Sequence, residues 1–308
     1  MKYVGLQSQV WRNNINSLIL LVLFPLVLFG LVFAFFFIAN VYDPEMVTDP
    51  VSGFLSTIPW ITIGVLTWFL VAYFSHTRMI QSATGSRSLE RKENKRVYNL
   101  VENMAMAAGM KMPAVNIIED DSLNAFASGI NNSSYTVSLS RGIIDKLNDE
   151  ELEGVIAHEL THIRNRDVRL LIISVIFVGI FAFVAETLLR SLRFSGRGGG
   201  KKNNGAAIII VLLLAAVGWL LTSLFRFALS RRREYLADAG AAELTKKPWA
   251  LASALRKVST DSRIEAVQRK DVAQMFIENP QEKKSVSLAG MFSTHPPIDK
   301  RISILEGF

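Results

Sequence analysis

Two of the chain's four histidines stand four residues apart in "VIAHELTHIRNRD" (Val155–Asp167), and a glutamate directly follows the first. Helix positions four apart differ by about 40° around the axis and about 6 Å along it, so His158 and His162 can aim their imidazoles at one point. Glu159 sits about 100° further round, near that point but not aligned with it. Two converging nitrogens with a carboxylate to one side suit a divalent metal ion and a proton-handling group beside it, the chemistry of a metal-dependent hydrolase. A histidine on a helix is more often a hydrogen-bonded surface or core residue, so the surrounding sequence has to support the reading.

Two ligands are too few for a catalytic zinc site, which takes three from the protein and keeps one position open. The chain has no cysteine, which excludes disulfides and thiolate ligands and leaves nitrogen and oxygen to hold the metal. The extended metzincin motif is absent, because Asn165 and Val168 stand where glycine and histidine would be. The third ligand is then an acid or one of the remaining histidines, His76 and His295. "RRREYLADAG" offers Glu234 and, one turn later, Asp238, which could fix a histidine tautomer by accepting its second N–H. By spacing alone, a surface pairing of Glu234 with the adjacent arginines is an equally good account.

Half of the 308 residues are hydrophobic, and the apolar excess is gathered in blocks. Leu18–Ala39 and Ile58–Phe74 carry no charge over roughly the 20 residues that cross a bilayer. Stretches 170–184 and 206–225 form a second such pair, so the sequence predicts four transmembrane helices in two hairpins. The first block is longer than the apolar core of a signal peptide and no small-x-small cleavage site follows it, so it is expected to stay attached. Lys2 and Arg12 precede the first hairpin, the 40–57 loop is acidic, and Arg78, Arg87, Arg91, Lys92, Lys95 and Arg96 follow, which puts both ends of that hairpin in the cytoplasm. The loop 190–205 of the second hairpin opposes this orientation with five basic residues. Either the first hairpin dominates, or the second inserts only in part. The net charge of +7 is concentrated at membrane ends, where attraction to anionic lipid explains it and nucleic acid is not required. Glu186, inside an apolar segment, reads as a snorkelling pair with Arg190, and His76 as an interfacial residue.

The elements that must position the histidines lie between the hairpins. Val97, Leu100, Val101, Met104 and Ala107 recur at helical spacing within 88–108. "PAVNIIEDD", "NAFASGI" and "SYTVSLS" read as three short strands. Asn148 followed by Glu151 is a capping-box pattern that starts the motif helix at Asp149. His162 and Glu234 flank the second hairpin, and a hairpin returns the chain to the side it left, so both half-sites meet at one membrane face. The stretch 259–287, with Met275, Phe276 and Ile277 among polar residues, is read as a solvated loop, with a lid or substrate-contacting insertion as the alternative.

Taken together, "HELTHIRNRD", the Glu234/Asp238 pair after a membrane hairpin, "NAFASG" and "THPPIDKRI" resemble the HtpX-type membrane zinc metalloproteases, relatives of the CaaX-processing membrane proteases. The likeness covers nearly the whole chain. It implies an α+β membrane protein with a gluzincin domain and one Zn2+ held by His158, His162 and Glu234. Glu159 would be the general base, Asp238 would support a ligand, and His295 and Arg301 would stabilise the oxyanion. Asn124, Ala125, Phe126 and Ala127 would belong to an edge strand to which a substrate peptide adds by main-chain hydrogen bonds. The expected division is a membrane hairpin (1–80), a first catalytic part (81–167), a second hairpin (168–229) and a second catalytic part (230–308). The resemblance further implies protein or peptide substrates, chiefly misfolded membrane proteins, in a bacterial inner membrane. A CaaX-type processing protease and a non-proteolytic metal-binding membrane protein are the alternatives.

Overall fold

The computed structural model describes residues 6–42, 44, 47–177, 186, 216, 231–260, 276–277 and 296–307. The chain divides into two units, one made of residues 1–15, 75–172 and 228–308 and the other of 16–74 and 173–227.

The second of these units contains most of two long helices, α1 (Leu6–Tyr42) and α2 (Pro50–Thr84). Within them Val10–Val41 and Pro50–Thr84 are long and apolar enough to cross a membrane, with mean hydropathies of 3.0 and 1.8. Both helices outrun the apolar blocks that mark them in the sequence, because neither flank contains a strong helix stop. Leu18, Val22 and Leu26 on α1 and Trp60, Leu66 and Phe74 on α2 are exposed, an arrangement costly in water and natural in lipid. Pro25 and Pro59 lie inside the helices, as membrane helices tolerate. Phe177 stacks on Phe24 with ring centroids 4.1 Å apart and lies 6.1 Å from Phe69. Two membrane-length helices are therefore present among the described residues. Most of the expected second hairpin, including Arg190, falls on 178–230, which lies outside them apart from residues 186 and 216.

The other unit holds a four-stranded sheet with spatial order β1-β2-β4-β3, formed by β1 (Ser86–Ser88), β2 (Ala114–Ile118), β3 (Ala125–Ser128) and β4 (Thr136–Ser140). β2 and β4 are parallel, and β1 and β3 join them antiparallel on either side. Three of these strands are those expected from their β-branched residues and the turn-forming residues between them. The fourth, β1, was not expected, and its last residue, Ser88, is the first of the stretch expected to be helical. Helix α3 begins only at Lys95 (Lys95–Ala107), because Asn94 takes extended backbone and caps the amide of Val97.

Helix α4 (Arg141–Lys146) follows the sheet, and the motif helix α5 (Asp149–Arg164) starts at the expected capping box. The Asn148 side chain accepts from the Glu151 amide at 2.9 Å, and Glu151 accepts from the Asn148 amide at 3.0 Å. Glu151 also receives Ser253 Oγ at 2.7 Å and Lys257 Nζ at 2.6 Å, which ties the start of α5 to the helix Pro248–Val258. Leu152, Val155, Ile156, Ala157, Leu160 and Ile163 bury α5 almost completely. It packs against α6 (Arg231–Thr245), α7 (Pro248–Val258), α3 and the sheet. The last described helix, α8 (Ile298–Leu305), lies against α6 and α7.

Candidate metal centre

Two close helix approaches bring the halves of the site together. A Cβ on Gly240 of α6 would meet Thr161 Cγ2 at 2.5 Å, and one on Gly154 of α5 would meet Leu251 backbone atoms of α7 at 3.1 Å. Glycine lets α6 lie against α5 next to the motif, and Glu234 and Asp238, six and two residues before Gly240, then face His158 and His162.

At that junction His158 Nε2 and His162 Nε2 are 3.2 Å apart. Glu234 reaches both, with Oε2 at 3.7 Å from the first and Oε1 at 3.6 Å from the second. Ligand atoms of the three residues lie within 4.8 Å of one another, the one such cluster found among the described residues. His76, buried near the end of α2, is not part of it.

The other imidazole nitrogens face carboxylates. His158 Nδ1 is 3.0 Å from Asp238 Oδ1, and His162 Nδ1 is 3.0 Å from Asp167 Oδ2. A carboxylate can only accept, so hydrogen on each Nδ1 is the arrangement these partners favour, and it leaves both Nε2 lone pairs for one ion. A tetrahedral zinc with bonds of about 2.0–2.1 Å to nitrogen needs two ligand nitrogens about 3.3 Å apart, close to the observed separation. The donor set therefore fits a divalent ion. A proton can also bridge the two nitrogens. Burial disfavours a charged His162, but Glu234, Asp167 and Glu159 outweigh it and raise its pKa to about 9.

Glu159 is 2% exposed. Burial pushes its carboxyl pKa up; His158 and His162 pull it down, Glu234 raises it, and a hydrogen bond from the Ala127 amide of β3 lowers it. The carboxylate thus sits beside the histidine pair in a setting that favours taking up a proton.

Arg301 of α8 is 1% exposed and grips Asp238 with two bonds, Nε to Oδ2 at 2.9 Å and Nη2 to Oδ1 at 2.7 Å. Burial opposes a charge on Asp238, but Arg301 dominates and holds its pKa down at about 2. Arg301 also approaches Glu234 Oε2 at 3.6 Å and His158 Nε2 at 3.5 Å. Its shortest contacts are behind His158, on Asp238. His295 lies outside the described residues.

β3 is an edge strand of the sheet, and it is shorter than the "NAFASG" motif. Asn124 precedes it, buried, with its side-chain oxygen on the Ala125 amide at 3.0 Å, and Gly129 ends it at φ +114. Its outer edge already carries bonds. The Ile277 amide donates to Ala125 O at 2.9 Å, Arg301 Nη1 donates to Ile277 O at 3.2 Å, and Phe276 meets Phe126 edge-on at 4.7 Å. Phe276 and Ile277 are 1% and 2% exposed, which corrects the reading of this part of 259–287 as solvated loop. Their apolar character amid polar neighbours was the available signal. Asp167, in contrast, was quoted within the motif but given no role, because nothing in the spacing indicates that the turn after α5 folds it back onto His162.

The family model described as "Peptidase family M48" matches residues 91–308. Over its full length the chain is 58% identical to a protease HtpX homolog of Bacteroides fragilis, with all of both chains covered. It is 35% identical to a protease HtpX homolog of Lactobacillus helveticus, covering 98% of this chain and 99% of the relative. A solved structure, that of S. mikatae Ste24p, aligns with a TM-score of 0.48 at 17% identity, covering 96% of this chain and 66% of that one. Similarity of that extent to HtpX proteins, with the family match spanning both halves of the site, shows that this chain belongs to peptidase family M48 as a membrane metalloprotease of the HtpX type.

Proposed function

We propose that the chain is a zinc-dependent endopeptidase acting on misfolded or damaged membrane proteins, with its active site on the cytoplasmic face and four transmembrane helices. The observation that carries the zinc reading is the pair of Nε2 atoms 3.2 Å apart with Glu234 reaching both. His158, His162 and Glu234 would hold the ion. When bound, zinc supplies Lewis acidity that lowers the pKa of water and polarises a scissile carbonyl.

The chain's own groups do the rest. Glu159 takes a proton from the attacking water and hands it to the leaving amine, a transfer favoured by its raised pKa. Asp238 and Asp167 hold the two imidazoles with Nε2 forward. Ala127 orients Glu159 through its amide. Asn124 to Ala127 would line the edge against which an extended peptide lies, where the Ile277 amide now holds the Ala125 carbonyl, and His295 and Arg301 would stabilise negative charge on the carbonyl oxygen. The basic flanks of the first hairpin and its acidic 40–57 loop support the cytoplasmic placement. The exposed apolar helices supply the bilayer contact that a membrane-protein substrate shares.

Glu159→Gln should retain bound metal and lose cleavage of an unfolded membrane substrate, with wild-type cleavage inhibited by a chelator and restored by Zn2+. Metal uptake without any hydrolysis by wild type would instead favour a non-proteolytic metal-binding protein. Mass spectrometry of peptides released from membranes carrying wild type or Glu159→Gln would identify the substrates, and cleavage confined to prenylated C-termini would favour CaaX-type processing.

A further inference from the structure

The family match begins at residue 91, yet a side chain far upstream of it reaches the support of the metal centre. Asn13, near the start of α1, is 2% exposed. Its amide nitrogen donates to Asp167 Oδ1 at 2.7 Å and to the Asn165 carbonyl at 2.8 Å. Asp167 Oδ2, the other oxygen of the same carboxylate, accepts from His162 Nδ1 at 3.0 Å. The chain of contacts runs from α1 to a carboxylate, and from there to the histidine whose Nε2 faces the proposed ion.

The local backbone shows why the link is needed. α5 ends at Arg164, and Arg166 turns the chain with φ +61, a left-handed conformation that non-glycine residues adopt at some cost. That turn folds Asp167 back under His162. A carboxylate at a helix–helix junction could adopt other rotamers, and Arg233 Nε, 3.8 Å from Oδ1, is too distant to define one. Asn13 supplies a short, directed bond to that oxygen. It simultaneously anchors the turn through Asn165, while its neighbour Asn14 accepts from Arg166 Nη1 at 2.8 Å. All these residues belong to one compact unit.

We infer that Asn13 is a positioning residue of the metal centre, fixing Asp167 so that Asp167 fixes the imidazole of His162. The start of the first membrane helix is thereby part of the catalytic machinery as well as an anchor. This inference rests on the zinc reading given above.

The test uses the full-length protein in detergent or bilayer discs, with Zn2+ affinity measured by competition with a chromophoric chelator and ligand geometry followed in the visible spectrum of bound Co2+. Asn13→Ala, and Asn13→Leu as a variant that refills the volume without a donor, should weaken Zn2+ binding about tenfold and alter the Co2+ spectrum. That is the low end of the 10–100-fold typical when a ligand's supporting partner is lost. Asp167→Ala should weaken binding at least as much, and adding Asn13→Ala to it should change affinity no further. Asn14→Ala, which removes the bond to Arg166 and leaves both bonds of Asn13 in place, should weaken Zn2+ binding less than either Asn13 variant.

Wild-type affinity and spectrum in both Asn13 variants would overturn the inference, as would an equal loss in the Asp167→Ala background. Failure of both variants to fold would also overturn it, by making Asn13 a folding residue. A wild-type protein that took up no divalent ion would overturn the zinc reading itself, a result distinct from any of these.

Discussion

Replacing Arg301 by lysine separates two roles that one guanidinium could play. Arginine makes two parallel bonds to Asp238, at 2.9 and 2.7 Å, and a third to the Ile277 carbonyl at 3.2 Å. A lysine keeps the charge but cannot reproduce the planar fork, so at least one of the carboxylate bonds is lost. A hydrogen bond to a charged group is worth about 1.5–3 kcal/mol, and the site is almost fully buried, so the expected destabilisation is about 2–3 kcal/mol. Removing the charge altogether with Arg301→Met would leave Asp238 buried and unpaired, at a cost of about 3–5 kcal/mol. Against a total stability of about 5–15 kcal/mol, the lysine form should still fold. Asp238 in turn orients His158 from 3.0 Å, so Zn2+ affinity should fall about 10–100-fold in step. Denaturant midpoints and chelator competition measure the two losses on the same sample. If Arg301→Lys kept wild-type stability and Zn2+ affinity and lost only kcat at saturating Zn2+, the support role through Asp238 would be refuted. Arg301 would then act on the reacting oxygen alone.

The packing makes a further prediction: Gly240→Ala, whose methyl would meet Thr161 Cγ2, should push α6 off α5 and lower Zn2+ affinity and peptidase activity by about tenfold or more, and Thr161→Ala in the same chain should restore much of both. Glu151 provides a pH signature: burial acts to raise its pKa, but Lys257, Ser253 and the Asn148 amide outweigh burial and lower it. Its contribution to stability is therefore present above the unfolded value of about 4.3 and lost as pH falls below it through the folded value. Glu151→Gln should be less stable at neutral pH, and the gap to wild type should close on acidification. Glu234→Gln should abolish stoichiometric Zn2+ binding while leaving the helix content seen by circular dichroism unchanged; retention of one Zn2+ per chain would remove Glu234 from the ligand set.

Much of the site was legible because its parts are local. The spacing of His158 and His162 on one helix face, the Asn148 cap that begins that helix, and the apolar periods of the strands all depend on a few consecutive residues. Long-range parts were less readable. β1 was missed because three residues, Ser86–Ser88, carry no alternation of their own and become a strand only by pairing with β2. Phe276 and Ile277 were read as solvated because their neighbours are polar, although the edge of β3 buries them.

By itself the sequence determined that a metal could be gripped by two histidines with a carboxylate at hand, since helix periodicity converts spacing directly into direction. It also determined that the chain carries membrane-length apolar helices, since length and composition suffice for that. Which histidine Asp238 supports, and what stands behind the other groups, was decided only by tertiary structure. Asp238 behind His158, Arg301 behind Asp238, and Asp167 and Asn13 behind His162 are brought together by helix packing and a left-handed turn, and no periodicity encodes either that turn or contacts between residues 63 to 154 positions apart.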